Sequence, residues 1–566
     1  MNNTDNHQKF PSDMEIASSV KLRTYKELAN DLGLDPESLI PYTNYMAKIP
    51  LSFIDREKVN KSKLILVTSI TPTKAGIGKT TTSIGLAMGM RSIGKNAIAV
   101  LREPSLGPVF GAKGGACGGG YAQILPMDKI NLHFTGDFHA VTSANNLIAA
   151  CLDNYLFRHK KYLNITWKRV EDMNDRALRQ ITAGMGDGNG LVYNTGFDIT
   201  PASEIMAILC LAEDLNDLKL RIDHIILGYD ENKEPFYCSE LGITDSVALL
   251  LKDAMMPNLV QMTDGSPAIV HGGPFANIAH GCNTVVATKM GLSLCDYVIT
   301  EAGFGSDLGC EKFMDIKCLY AGLNPDLVVL TLTVEGVMQN GYGDSRKDQI
   351  KTGLENVRHH VEVIKKEYNK PVAIVINKHS NFDTQADIDD IAAFCRNDLD
   401  CNSFINNSFA KGVQGSAGMA AAIADIVDKS ERTELTHPYS YTNDSVSVKI
   451  EKVCRNVYAI PSKNIVISKK AEKKINMVDS DTHPEFRNMP ICIAKTQFSF
   501  TDNPDFPKFL SVNELGTMTI NDVIINGGAG FIVAVAGDMC RMPGLPKEPA
   551  ANKIELDSDG TIRNLS

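Results

Sequence analysis

"KLILVTSITPTKAGIGKTTTSIGLAMGM", residues 63–90, decides how this chain is read. The run from Lys63 to Ile70 is apolar and β-branched, as a buried strand is. The stretch from Ser83 onward has the look of a helix. Between them, Thr73, Lys74, Ala75, Gly76, Ile77, Gly78, Lys79 and Thr80 follow the phosphate-binding pattern Gly-x-x-x-x-Gly-Lys-Ser/Thr, except that threonine stands first. Gly76 and Gly78 permit the dihedrals that turn backbone N–H groups inward around an anion. The following helix points its positive end at the same place. Lys79 is placed to reach the β- and γ-phosphates of ATP, and Thr80 to ligate the accompanying Mg²⁺. With Thr81, these residues are the expected ATP contacts. A helix start whose glycines serve packing alone is the simpler alternative.

Working outward, short β-branched runs recur with helical patterns between them: "NAIAVL", "HIILGY", "YVITEAGFG", "DLVVLTLTV", "KPVAIVIN" and "GFIVAVAGD". The alternation predicts an α/β fold of the P-loop NTPase kind, with a largely parallel sheet flanked by helices. Two regions interrupt it. Residues 136–284, rich in glycine and asparagine turns, are expected to form an inserted α/β domain, and residues 386–566 a C-terminal one. The nucleotide-binding domain is then 1–135 together with about 285–385.

A chain of 566 residues is too long for one core, in keeping with several domains. Net charge is −10, a mild acidic balance that argues against a nucleic-acid binder but leaves room for small anions in a local positive pocket. The 13 cysteines are scattered without a Cys-x-x-Cys pair, which points to reduced, buried thiols rather than disulfides or zinc. "FIVAVAG" and similar runs are strand-length, too short to span a bilayer. The N-terminal residues lack a signal-peptide core, so the cytoplasm is the expected location.

After "NAIAVL" comes "REPSLGPVFGAKGGACGGGYAQ", residues 102–123. Arg102 falls at the carboxyl end of the second strand, where open α/β sheets place their ligands. An arginine there is suited to clamp a carboxylate or acyl phosphate with paired hydrogen bonds. Glu103 beside it is a candidate for orienting that arginine or handling a proton. A surface salt bridge is the plainer role for Arg102. The glycines that follow bring backbone close to a ligand or form a mobile loop.

The sequence from Arg102 to Ala150 closely resembles formate–tetrahydrofolate ligase, also called formyltetrahydrofolate synthetase. The likeness continues through "RVEDMNDRALR", "FDITPASEIMAILCLA", "HGGPFANIAHGCN", "EAGFGSDLGCEKFMDIKC", "PICIAKTQFSFTDNP" and "MPGLPKEPAA". The resemblance implies ATP-dependent joining of formate to the N10 amine of tetrahydrofolate through formyl phosphate. It makes Lys79, Arg102 and Glu103 the candidate catalytic residues. It also implies ATP with Mg²⁺, activation by a monovalent cation and a homotetramer. The family's loop likewise begins Thr-Pro-Thr, which accounts for Thr73.

The chain departs from the family's pattern in places. Lys74 and Ile77 replace proline and glutamate in the loop. Leu319 and Glu335 replace arginines, Met338 a lysine and Asn340 a histidine. Two aromatics stack on the folate pterin in the family. Phe409 stands where one, a tryptophan, belongs, and His379 or Phe382 must serve as the other. The changes are expected to weaken the acceptor side. A ligase of the same fold with another acceptor is therefore one alternative. A nucleotide switch is another, suggested by Lys74 and by "VINKHS" (375–380), close to the guanine-reading Asn-Lys-x-Asp with Ser380 in place of aspartate.

Overall fold

The computed structural model describes residues 10–74, 76–111, 115–159, 163–379, 382–480, 483–506 and 516–565. Its framework is an α/β arrangement around one large, mixed, mostly parallel sheet. The main strands are β1 (Lys63–Ser69), β2 (Ala97–Leu101), β3 (Asn258–Met262), β4 (Pro267–Val270), β5 (Tyr297–Glu301), β6 (Leu327–Leu332), β7 (Val372–Asn377) and β8 (Asn402–Asn406). They lie in the order β3-β4-β2-β5-β1-β6-β7-β8. From β4 to β8 all neighbours run parallel, and only β3 with the short strands beyond it is antiparallel. β2, β5 and β6 are buried at every residue, which requires helices on both faces and explains their near-continuous apolar sequences.

Helix α1 (Lys79–Ser92) follows β1, and its N-cap, Gly78, has φ +79°, a conformation that favours glycine. Apolar contact with α1 comes from the later helix Ala417–Lys429, whose Ala420 packs against Gly89. The segment between β2 and β3 carries helices α2 (Asp137–His159) and α3 (Glu204–Leu211) and a three-stranded sheet of Asn164–Ile165, Ile226–Tyr229 and Pro235–Tyr237. All eight residues of α3 are buried. The strands β3 and β4, at the end of the 136–284 segment, and β8, at the start of the 386–566 segment, join the main sheet.

Two helices follow β6: α4 (Val334–Gln339), then α5 (Arg346–Glu367). The C-terminal part carries a second sheet of β9 (Ile465–Ile467), β10 (Ile491–Ala494), β11 (Met518–Asn526) and β12 (Phe531–Ala536), ordered β9-β11-β12-β10. Among the described residues no helix is long and apolar enough to cross a membrane.

Candidate active site

The carboxyl ends of β2, β5, β1, β6 and β7 form one rim, and the glycine loop lies along it. Gly76 has φ +84°, so both loop glycines take the left-handed backbone. Ile77 is buried and packs against Gly336 of α4, a contact an acidic side chain there would not make without a partner. Lys74 is exposed, and Ala75 lies outside the described residues. Thr73 is buried, its Oγ1 donating to the Gly76 carbonyl at 3.4 Å.

Three asparagines from distant strands and helices hold this loop. Asn377 ends β7 and donates through Nδ2 to the carbonyls of Ile77 at 2.7 Å and Gly78 at 3.3 Å. Its Oδ1 accepts from Thr82 Oγ1 at 2.8 Å and from Asn406 Nδ2 at 2.9 Å. At the loop's other end, Asn340 Nδ2 donates to the Thr71 carbonyl at 2.9 Å. Asn356 Nδ2 donates to Thr71 Oγ1 at 2.9 Å, and His360 Nε2 lies 3.1 Å from the same hydroxyl. Burial lowers the His360 pKa to about 3, so the ring is neutral and its Nδ1 meets Ser306 Oγ at 2.7 Å. The loop is therefore preorganised by bonds that cost nothing to form when a ligand arrives.

Lys79 opens α1, and its Nζ turns back toward β1, donating to Ser69 Oγ at 3.3 Å. Among the described residues no carboxylate lies within ion-pair distance of it. Burial lowers its pKa to about 8, Glu301 opposing that shift and Arg102 adding to it. Thr80 Oγ1 donates to Glu301 Oε2 at 2.8 Å, with Glu301 at the end of β5 beside β1. Ser69 Oγ also lies 3.0 Å from the Phe304 carbonyl oxygen. Phe304 has φ +59°, a strained value for a bulky residue, and such strain gathers at functional sites.

Arg102 follows β2 directly. Its Nη1 donates to the Pro274 carbonyl at 3.2 Å, and its Nε is buried without a hydrogen-bond partner among the described residues. The guanidinium lies against Gly303, where a Cβ would approach Nη1 to 3.0 Å, so the glycine makes room for it. No hydrogen bond or ion pair joins Glu103 to Arg102 among the described residues. Glu103 is buried among Asp137, Lys48 and Asp172, and burial, aided by Asp137, pushes its carboxyl well above the usual carboxylate range. Successive residues of an extended chain face opposite ways, which separates the two.

The aromatic candidates fall in different settings. Phe409 follows Ser408, whose Oγ donates to the Thr81 carbonyl at 3.3 Å, so the ring is tied to the start of α1. The Arg346 guanidinium sits 4.4 Å from the centroid of the half-buried Phe382 ring, and its Nη2 donates to the Phe382 carbonyl at 2.8 Å. His379 is exposed; Ser380 lies outside the described residues.

Of the departures noted in sequence, Asn340 is a buried brace of the loop. Met338 packs on the core, and Glu335 sits in the first turn of α4, accepting from Gln339 Nε2 at 2.8 Å. Glu301 was not singled out from the sequence. A lone carboxylate closing the apolar strand "YVITE" is the signal that marks it.

An α/β protein that gathers a glycine loop, a half-buried lysine with no carboxylate partner among the described residues, an arginine and a carboxylate at the carboxyl ends of parallel strands has the build of an enzyme for small anionic substrates. A family profile described as formate–tetrahydrofolate ligase matches residues 11–566. Formate–tetrahydrofolate ligase of Parabacteroides distasonis is 49% identical over 566 residues, covering 98% of this chain and 100% of the relative. The proteins of that name from Bacteroides thetaiotaomicron and Campylobacter concisus are 48% and 46% identical, with the same coverage. The chain belongs to the formate–tetrahydrofolate ligase family.

Proposed function

We propose that the protein is an ATP-dependent ligase that joins formate to tetrahydrofolate. The observation that carries the phosphate chemistry is Lys79. Its side chain is half-buried, and among the described residues its ammonium is bonded to a hydroxyl alone, beneath a glycine loop and beside Arg102. A partly desolvated cation without a carboxylate partner calls for an anion, and the γ-phosphoryl group of ATP supplies one. Thr80 and Glu301, a hydroxyl and a carboxylate 2.8 Å apart, are an oxygen pair suited to Mg²⁺. Bound with the nucleotide, that ion adds charge neutralisation at the transferring phosphoryl group.

Formate has no leaving group. In this reading one formate oxygen attacks the γ-phosphorus and ADP departs, giving formyl phosphate. The N10 amine of tetrahydrofolate then attacks the formyl carbon, phosphate leaves with the bridging oxygen, and the amine gives up its proton. Arg102 holds formate and then the acyl phosphate. Lys79 balances the charge on the transferring group. Phe409 offers the pterin a flat surface, with Phe382 or His379 the candidate opposite it. Glu103 is kept in this reading only as a buried group behind the site.

The same reading assigns nucleotide handling to the P-loop architecture of residues 1–135 and 285–385, to which the sheet adds β3, β4 and β8. Homotetramer formation, activation by a monovalent cation and a cytoplasmic location rest on family membership alone. The test is ADP release by the pure protein with ATP and Mg²⁺. Release that requires formate, and formylated product that requires tetrahydrofolate, support the ligase. ADP release indifferent to formate favours a nucleotide switch, and formate-dependent release that folate does not complete favours another acceptor.

A further inference from the structure

Phe409 is not alone. The ring of Phe10 stacks on it, centroids 5.5 Å apart and planes at 17°, and Tyr121 meets Phe10 edge-on at 6.0 Å and 90°. Tyr121 N–H donates to the Phe409 carbonyl at 2.8 Å, which locks the two segments together. All three residues are exposed: Phe10 by 45%, Phe409 by 42% and Tyr121 by 40%. A cluster of three aromatics left open at the surface marks a place that something flat covers.

The position of Phe10 is built rather than incidental. Two residues on, Ser12 caps the helix Asp13–Ser19 with a reciprocal capping box to Glu15. Asp13 Oδ1 accepts from Gly120 N–H at 2.7 Å, and the Asp13 carbonyl accepts from Gln123 Nε2 at 3.1 Å. Ile16 of the same helix is buried. The N-terminal segment is therefore clamped to the strand pair Gly118–Gly119 and Ala122–Leu125, and its first ring lands on Phe409. One face of Phe409 is then taken by Phe10 and one edge by Gly119 and Gly120. The opposite face of the ring is the one that these contacts leave uncovered.

We infer that Phe10 is a folate-positioning residue, backing Phe409 so that the far face of that ring is held ready for the pterin. The inference rests on the reading of Phe409 as the pterin platform. Phenylalanine is smaller than the tryptophan expected there, and a second ring behind it holds that smaller surface rigid, with less motion to freeze on binding.

Steady-state kinetics of the full chain test this with Phe10→Ala, Phe10→Tyr, Phe409→Ala and the Phe10→Ala/Phe409→Ala double variant. The expected result for Phe10→Ala is a rise in KM for tetrahydrofolate of roughly three- to tenfold, with kcat and the KM values for ATP and formate unchanged. Phe10→Tyr restores the parent value, and the double variant is no worse than Phe409→Ala. An unchanged folate KM in Phe10→Ala, alongside a raised one in Phe409→Ala, overturns the inference but keeps the platform. A lowered folate KM in Phe10→Ala overturns it too, because Phe10 then competes for the pterin's own place. An unchanged folate KM in Phe409→Ala removes the platform itself, and the role of Phe10 falls with it.

Discussion

Asn377 Nδ2 donates to the carbonyl of Ile77 at 2.7 Å, so the end of β7 grips a loop that leaves β1 two strands away. The same amide accepts from Thr82 in the first turns of α1. Sheet order and loop shape are thus one structure. The side-chain amide of Asn377, bonded to two loop carbonyls and to Thr82, thereby helps to set where the loop's N–H groups point.

Asn377→Ala removes the four hydrogen bonds of this amide and strands the Ile77 carbonyl, while Thr82 keeps its bond to the Gly78 carbonyl. The expected cost is about 1–3 kcal/mol in stability, together with a rise in KM for ATP and a formate KM close to the parent. Thermal unfolding of the nucleotide-free protein and ATP titration measure the two effects. An unchanged ATP KM would show that the loop holds its shape without this clamp.

Lys79→Ala is expected to cut turnover by roughly 10²-fold or more, the scale of losing a preorganised charge at the reacting group. The nucleotide-free protein should not lose stability, since the substitution removes a half-buried charge that has no ion-pair partner among the described residues. Turnover within threefold of the parent would contradict the assignment.

The lowered pKa of Lys79, about 8, has a signed consequence. Free enzyme loses this proton as pH rises through that value, whereas bound polyphosphate favours the charged form. ATP binding above about pH 8 must therefore take up a proton, and affinity must fall as pH rises further. Calorimetry in buffers of different ionisation enthalpy reads the uptake directly. Lys79→Ala should abolish it.

Arg102→Lys keeps the charge and loses the fork. ATP affinity should stay near the parent value while formate-dependent turnover collapses. A fully active Arg102→Lys protein would return this side chain to a structural part held by Pro274.

The strand, loop and helix of residues 63–92 were legible because each rests on local pattern: β-branched burial, left-handed glycines and a helix start. Lys79 and Arg102 were legible for the same reason, as both sit where a parallel sheet exposes its carboxyl ends. The braces were not. Asn377 and Ile77 are 300 residues apart, and Asn340 and Thr71 are 269 apart, so only the sheet order makes them neighbours. Asn340 looked like a loss on the acceptor side and is a support for the loop. The opposite facing of Arg102 and Glu103 follows from chain alternation, yet which of the two faces the site depends on α2, whose Asp137 lies beside Glu103. Phe10 gave no signal, since a lone aromatic in a polar N-terminal stretch acquires meaning only once Phe409 is found beneath it.

The most direct test of the account follows the oxygen. Pure protein is given ATP, Mg²⁺, tetrahydrofolate and formate labelled with ¹⁸O in both positions, and the released phosphate is weighed by mass spectrometry. Phosphorylation of formate at the Lys79–Arg102 site predicts one formate-derived ¹⁸O in each phosphate and one in the formylated folate. Unlabelled phosphate, with ADP formed all the same, would mean that water and not formate takes the γ-phosphoryl group, and the ligase chemistry proposed for this site would be wrong.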